Sequence, residues 1–506
     1  MQVPGFIGAS YTARSIAIDG QECINFYPVV IAKESPTAKA QMALIGTPGS
    51  VPFANIAGNG TIRGLYSSGS DNLYAVCGNG VYQVFPNGTY NLLGTLKGFT
   101  GNVYFAELQN NSSSNDILDI NIMIIEPNSA GYIYQEGTQT FNPIGDSGYM
   151  PGSSITTLSG YFVQAYTDNI QTRGRFAFST PYYMPQDLTA GVPSDGVTCW
   201  PVLNYATAEG STDPLVAVYR LNMELFLFKS KSVEIWYPTG QQNAPFAPVP
   251  NAFMEIGLGA RDSVGLISNT LIWLAANSQG NNTIWATMSY TPNRISTHAI
   301  EYAMNEMATT SDAKAFCYQE EGYSFYMLTF PTGNRTFCYD LDAGLWHERA
   351  YYNPATQKNE RYHAETLVQW QGRNYIGSRF SGEIWRLDLD TYTDNSGPIR
   401  RIRTGDHIHK DRKRLFFREF EIDIERGIGL QTGQGSDPQA ELQWSDDGGF
   451  TWNNPVLLSP GKAGNYLARL HLHKLGMSAD RVFRLICTDP VKWVLIDARM
   501  DVDSEE

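Results

Sequence analysis

The sequence predicts an all-β protein: a β-propeller of about seven blades, preceded by an extended N-terminal segment and followed by a β-sandwich. Three observations carry this expectation. Strand–turn–strand units recur at roughly 40–50 residues, the repeat range of propeller blades. Aromatic residues make up 12% and charged residues only 17% of the chain, Gly and Asn are abundant, and long A/E/K/L-rich runs are missing, which favours strands and turns over helices. A basic stretch then breaks the recurrence, and the strands after it alternate cleanly between apolar and polar residues.

Residues 1–60 show little alternation and are punctuated by Pro28, Pro48 and Pro52. They are expected to form an arm lying on the propeller or on a neighbouring subunit. The propeller is expected from 61 to 397. Its clearest unit is residues 61–96, where Ile62–Tyr66, Leu73–Cys77, Val81–Phe85 and Thr89–Leu93 read as a four-stranded meander. Asn79-Gly80 and Asn87-Gly88 are expected to supply its positive-φ turns. Further units follow at 101–145, 153–190, 214–257, 262–300, 313–352 and 363–393. In the third-strand place stand Val81-Tyr-Gln-Val, Val233-Glu-Ile-Trp, Ile284-Trp-Ala and Glu383-Ile-Trp-Arg-Leu. Radial stacking of such sheets leaves only short, protected edges. Six blades is the alternative count, and serial sandwiches, which need longer linkers, the alternative fold.

Residues 398–418 are expected to be a basic linker or strand. Between Arg400 and Arg418 eight Lys/Arg stand against two Asp, in a chain of net charge −14. Arg400, Arg401, Arg403, Lys410, Arg412, Lys413 and Arg414 are therefore expected to face an anion: packaged DNA, or an acidic neighbouring subunit. Residues 419–506 are expected to form a separate C-terminal sandwich.

The acidic net charge argues against a protein that coats nucleic acid. No apolar run is long enough to span a membrane, and the N-terminus lacks the pattern of a secretory signal. The six cysteines have no CxxC spacing and read as buried thiols of a reducing compartment. GxSxG, HExxH and GxxxxGK[ST] are absent. No catalytic residue, cofactor or metal is expected. His407-x-His409 and His471-x-His473 would each put two imidazoles on one strand face, but no further ligand stands at telling spacing, so solvent-facing histidines are expected.

Ser445-Asp-Asp-Gly-Gly-Phe-Thr-Trp452 matches the Asp-box pattern S-x-D-x-G-x-T-W. Ser445, Asp447, Gly449, Thr451 and Trp452 are expected to stabilise a hairpin, with the Asp447 carboxylate accepting backbone N–H bonds and Trp452 plugging the sandwich below. A single box, with no F-R-I-P-like start, counts against a sialidase.

Several of these segments resemble one family. Ala13-Arg-Ser-Ile, Cys23-Ile-Asn-Phe-Tyr-Pro28, Ala43-Leu-Ile-Gly-Thr-Pro-Gly49 and Ile62-Arg-Gly-Leu-Tyr66 are similar to the opening of the packaged-DNA stabilisation proteins, the tail hub or nozzle proteins of short-tailed phages. The basic linker, Phe417-Arg-Glu-Phe-Glu-Ile-Asp423 and the Trp-Ser-Asp-Asp-Gly hairpin resemble that family's C-terminal part. The resemblance implies a non-enzymatic virion protein, made in the host cytoplasm and carried in the tail. It implies a homo-hexameric ring below portal and adaptor that extends the channel for double-stranded DNA and receives a tail needle, fibre or spike. A carbohydrate-active or carbohydrate-binding propeller, a glycoside hydrolase or a lectin, is the alternative reading.

Overall fold

The computed structural model describes the chain apart from residues 1, 4, 32–39, 59, 111–118, 147, 167–173, 184–198, 242–243, 277–281, 396, 412 and 505–506. Antiparallel sheets succeed one another along it: blade 1 at 62–95, blade 2 at 104–143, blade 3 at 154–207, blade 4 at 215–254, blade 5 at 257–294, blade 6 at 314–348 and blade 7 at 364–388. Strands that are neighbours in sequence pair in blades 1, 2, 3, 4 and 6, so each of these sheets is a meander, while in blade 5 both Gly257–Leu258 and Gly265–Ile267 pair with Thr270–Ala276. In blade 1 the turn between Leu73–Cys77 and Gly80–Val84 is Gly78-Asn79, with Gly78 at φ 56° and Cys77 paired to Gly80. The turn thus falls one residue before the expected Asn79-Gly80.

Apolar side chains alternate to both faces of every blade and pack against the next one. Among the described residues the wedge-shaped cores between successive blades number seven. Phe228 meets Trp273 between blades 4 and 5, their ring centroids 5.4 Å apart. Ile62 of blade 1 packs with Ile384 of blade 7 and closes the ring. Seven cores in a closed circle mean seven blades, so the six-blade alternative is set aside.

The described strands of the first 60 residues are built into the fold rather than forming an arm lying on it. Gly49–Asn55 pairs with Glu383–Asp388 and supplies the outermost strand of blade 7, which joins the two ends of the propeller. Phe26–Val30 and Met42–Gly46 join a sandwich sheet in the order Phe26–Val30, Met42–Gly46, Val494–Ser504, Leu415–Ile424, Leu470–Ser478. The facing sheet runs Cys23–Ile24, Arg401–Thr404, Asp480–Cys487, Ala440–Ser445, Val456–Leu458. Arg401–Thr404, in the stretch expected to be a basic linker or strand, is an internal strand of this sheet. Phe6, Phe26 and Leu44 share the sandwich core with Phe420, Phe483 and Trp493. Through a parallel bridge between Ile24 and Glu348 the second sheet continues into blade 6.

Among the described residues helix is confined to short pieces. His298–Asn305, in the connection from blade 5 to blade 6, is capped by Thr297, whose side chain accepts from the Ile300 N–H, and it buries Ala299, Ile300 and Met304. The strand periodicity of the flanking units hides this helix in the sequence.

Candidate interaction surfaces

The basic stretch divides into an inside and an outside. Arg401 and Arg403 sit on a strand flanked by Cys23–Ile24 and Asp480–Cys487, and both are 0% exposed. Arg403 donates to the carbonyls of Phe6 at 2.7 Å, Ala9 at 2.9 Å and Glu22 at 3.2 Å, to Gln21 Oε1 at 2.7 Å, and to the Gly5 carbonyl. Burial pushes the Arg401 guanidinium down to about 10. A Cβ on Gly46 would lie 2.6 Å from Arg401 Nε, so only glycine lets the backbone pass there. These two arginines therefore do not face DNA or a neighbour. The two-residue alternation of the strand turns both inward, where Arg403 ties the chain start to the sandwich.

The other cations lie outside. Arg400 is half-buried with its guanidinium 5.4 Å from the Tyr352 ring centroid. Lys410, Lys413 and Arg414 are exposed at the turn that leads into Leu415–Ile424. Arg412 lies outside the described residues.

The Asp-box forms a tight hairpin. Asp447 accepts from Ser445 Oγ at 2.6 Å and from the Thr451 N–H at 2.9 Å, and the Gly449 N–H donates to Ser445 Oγ at 2.8 Å. Gly448 and Gly449 take φ values of 78° and 96°. The hydrogen bonds from Ser445 and Thr451 hold the Asp447 carboxyl down at about 2. Trp452 does not plug the core. It is half-buried at the surface, with the Arg484 guanidinium 3.9 Å from its ring centroid, because the chain beyond the turn runs irregularly up to Val456.

His407 is a buried brace rather than a solvent-facing group: its Nδ1 lies 2.9 Å from Asp480 and its Nε2 2.8 Å from the Ile16 carbonyl. His409, His471 and His473 are exposed. Among the described residues no three His, Cys, Asp or Glu side chains converge in a way that could hold a metal.

The propeller bore is crossed by polar side chains. The turn Arg261–Ser263 enters it from blade 5, and Asp262 accepts from Tyr104 OH and from Asn102 Nδ2 at 2.6 Å on the opposite side of the ring. Arg261 Nε donates to Tyr104 OH at 3.0 Å. Nearby, Glu365 accepts from Lys314 and, at 3.1 Å, from Arg361. Burial pushes the Asp262 carboxyl up to about 6, Lys314 and Asn102 pull it down, and Glu365 pushes it up. These groups tie blade 2 to blade 5 and blade 6 to blade 7. Sequence reasoning missed them, because nothing in the local pattern around Arg261-Asp262 tells that it points inward.

Residues 1–392 match the family described as the bacteriophage P22 Gp10 β-propeller, and residues 400–503 match the bacteriophage P22 Gp10 β-sandwich. No curated protein matches the chain. Among solved structures, the extracellular domain of a one-component system from B. thetaiotaomicron is similar at TM-score 0.41 and 8% identity, over 70% of this chain. This chain spans 45% of that protein's length. Streptogramin B lyase is similar at TM-score 0.38 and 12% identity, over 68% of this chain and 98% of the lyase.

Proposed function

The chain belongs to the bacteriophage P22 Gp10 family of phage structural proteins that stabilise packaged DNA, and from that membership we propose that it forms the tail hub, or nozzle, of a short-tailed phage. In this reading copies of the chain, six in number, make a ring below portal and adaptor. The ring extends the DNA channel, retains the genome, and receives a needle, fibre or spike. The observation that carries the reading is that propeller and sandwich both match one family, in order, over nearly the whole chain.

The bore supports one detail of this reading. Hydrogen bonds from blade 5 to blade 2 cross the axis, so a duplex passes beside each propeller, through the lumen of the ring. The chain's acidic net charge of −14 suits such a lumen, since a wall that does not grip phosphates lets DNA slide. Particles assembled without this chain are expected to fill with DNA and then lose it, and supplying the chain in trans should restore retention. Particles that keep their genome equally well without it would overturn the reading.

A further inference from the structure

The propeller bore is lined from the first strands of its blades, so the last strands form the outer rim. On that rim, between Tyr205–Thr207 of blade 3 and Phe246–Met254 of blade 4, lie two open hollows of about 350 and 600 Å³ that meet at Gly210 and Phe253. A bulge in Phe246–Met254 opens the first. Between the pairs Trp236–Pro248 and Glu234–Phe253 the register slips, with Asn251 at φ 61°. Phe253 is left 40% exposed at the junction of the two hollows.

The hollows are acidic. Asp213 and Glu234 are answered within the chain by Lys229, at 3.9 and 3.1 Å. Glu209 lines the first hollow and Glu255 the second; both are exposed and have no ion pair among the described residues. Lys231, also exposed, lines the second. Four carboxylates thus stand against two lysines around an exposed aromatic ring.

The sandwich carries the opposite feature. In the loop that leads into Leu470–Ser478, the Asn465 N–H donates to the Lys462 carbonyl at 2.9 Å and the Leu467 N–H to Asn465 Oδ1 at 3.3 Å. This tight turn presents Tyr466 and Leu467 to water, 70% and 88% exposed. Two large apolar neighbours so placed forgo burial energy that a partner surface can recover. Lys462 and Arg469 flank them, held only loosely by Asp437 at 3.9 Å and Glu421 at 3.8 Å. An apolar knob edged by cations therefore stands on one domain, and an acidic hollow with an aromatic at its centre on the other.

Their placement decides how they can meet. The sandwich joins the propeller at blades 6 and 7, through the Ile24–Glu348 bridge and the strand Gly49–Asn55. The hollow lies three blades further round a ring of seven, nearly on the far side. We propose that Tyr466 and Leu467 of one copy seat in the hollow of the next, around Phe253, with Lys462 and Arg469 against Glu209 and Glu255. Large anchors filling a pocket inside a rim of charge pairs are how protein contacts concentrate their energy. Each contact leaves a free hollow on one copy and a free loop on the other, so it repeats head to tail until a ring closes. The contact rests on the ring reading given above and supplies that reading's interface.

A disulfide trap tests it. Leu467→Cys and Phe253→Cys are placed together in the full chain, which is oxidised both as purified protein and in particles and run on a non-reducing gel. Both positions reach solvent, whereas the native cysteines are buried or half-buried. A ladder extending beyond the dimer is expected, and monomer alone from either single variant. In a second variant, Tyr466→Ser with Leu467→Ser, self-association should weaken at least about a hundredfold at an unchanged melting temperature, because both side chains already lie in water. If wild type assembles but the trap gives no bands, or bands that stop at the dimer, or if the serine variant assembles as wild type does, the proposed contact is wrong and the ring reading stands. If wild type forms no multimer alone or in particles, both fall.

Discussion

Arg63 and Lys229 of the propeller and Arg403 of the sandwich are held in different ways. In the propeller, Arg63 meets Glu126 at 3.0 Å and also donates to the carbonyls of Gly78, Gly98, Thr100 and Gly101, all within the first two blades and their linker. Lys229 meets Glu234, five residues on, at 3.1 Å. Arg403, at the core of the sandwich, has no carboxylate partner within ion-pair distance among the described residues. Its acceptors are the carbonyls of Gly5, Phe6, Ala9 and Glu22, at the other end of the sequence. Arg63 and Lys229 sit in blades closed by their own hairpins and find local partners there, as Arg481 of the sandwich does in Asp446 at 2.6 Å. The sandwich is closed by joining both ends of the chain, and one guanidinium holds much of that joint. Losing a propeller pair should therefore loosen one linker, whereas losing Arg403 should untie the chain start from the sandwich.

Arg403→Met tests the larger effect. It leaves several buried carbonyls without donors, each costing about 1–3 kcal/mol, and a destabilisation of roughly 4–6 kcal/mol is expected in urea unfolding, with the N-terminal segment becoming open to protease. A loss below about 1 kcal/mol, within the range of ordinary surface substitutions or little more, would remove the contrast. Glu126→Gln should cost less, about 2–3 kcal/mol, because Arg63 loses its countercharge but keeps its carbonyl acceptors. Hydrogen exchange should then rise in residues 96–103 and stay unchanged in the sandwich.

His347 sharpens the comparison at the seam, where it packs against Tyr27 and Phe325. Burial, with a smaller contribution from Arg349, pushes its imidazole down to about 3. Below about pH 6.5 the unfolded chain takes up a proton that the folded chain refuses, so stability falls as pH drops from there toward 3, by at most about 1.4 kcal/mol per pH unit. His347→Phe keeps an aromatic ring in the packing and should flatten that slope. An unchanged slope would show that other groups set it.

The smallest effect is expected from Asp447→Ala. It unties an exposed hairpin, so the melting temperature should fall slightly while self-association and partner binding stay as they were. Lost binding at an unchanged melting temperature would give the Asp-box a recognition role instead.

The same contrast governs what could be read from the sequence. Blades are local, and hairpin turns with alternating strands such as Leu73–Cys77 and Val81–Phe85 announce them. The sandwich's N-terminal half was not legible: Cys23–Ile24 spans only two residues, and its partners Arg403 and Ile402 are nearly 380 positions away. Gly49–Asn55, interrupted by Pro52, reads as irregular until Glu383–Asp388 is placed beside it. For the same reason the charge count picked out Arg401 and Arg403 correctly as unusual and assigned them wrongly to the surface. Two-residue alternation tells which residues share a face, but not which face is buried. The carboxylates at 419, 421 and 423 were visible as an alternating row, whereas their opposition to Asp501 and Asp497 depends on a register that only the fold provides.

The central claim is that the chain is a tail protein whose ring, and not whose propeller, encloses the DNA. Electron cryo-microscopy of the intact particle tests it most directly. The account predicts density for this chain in a ring below the portal, DNA along the ring's central axis, and every propeller bore closed by the Arg261–Asp262 turn against Tyr104. DNA density inside a propeller bore, or the chain found away from the tail, would contradict it.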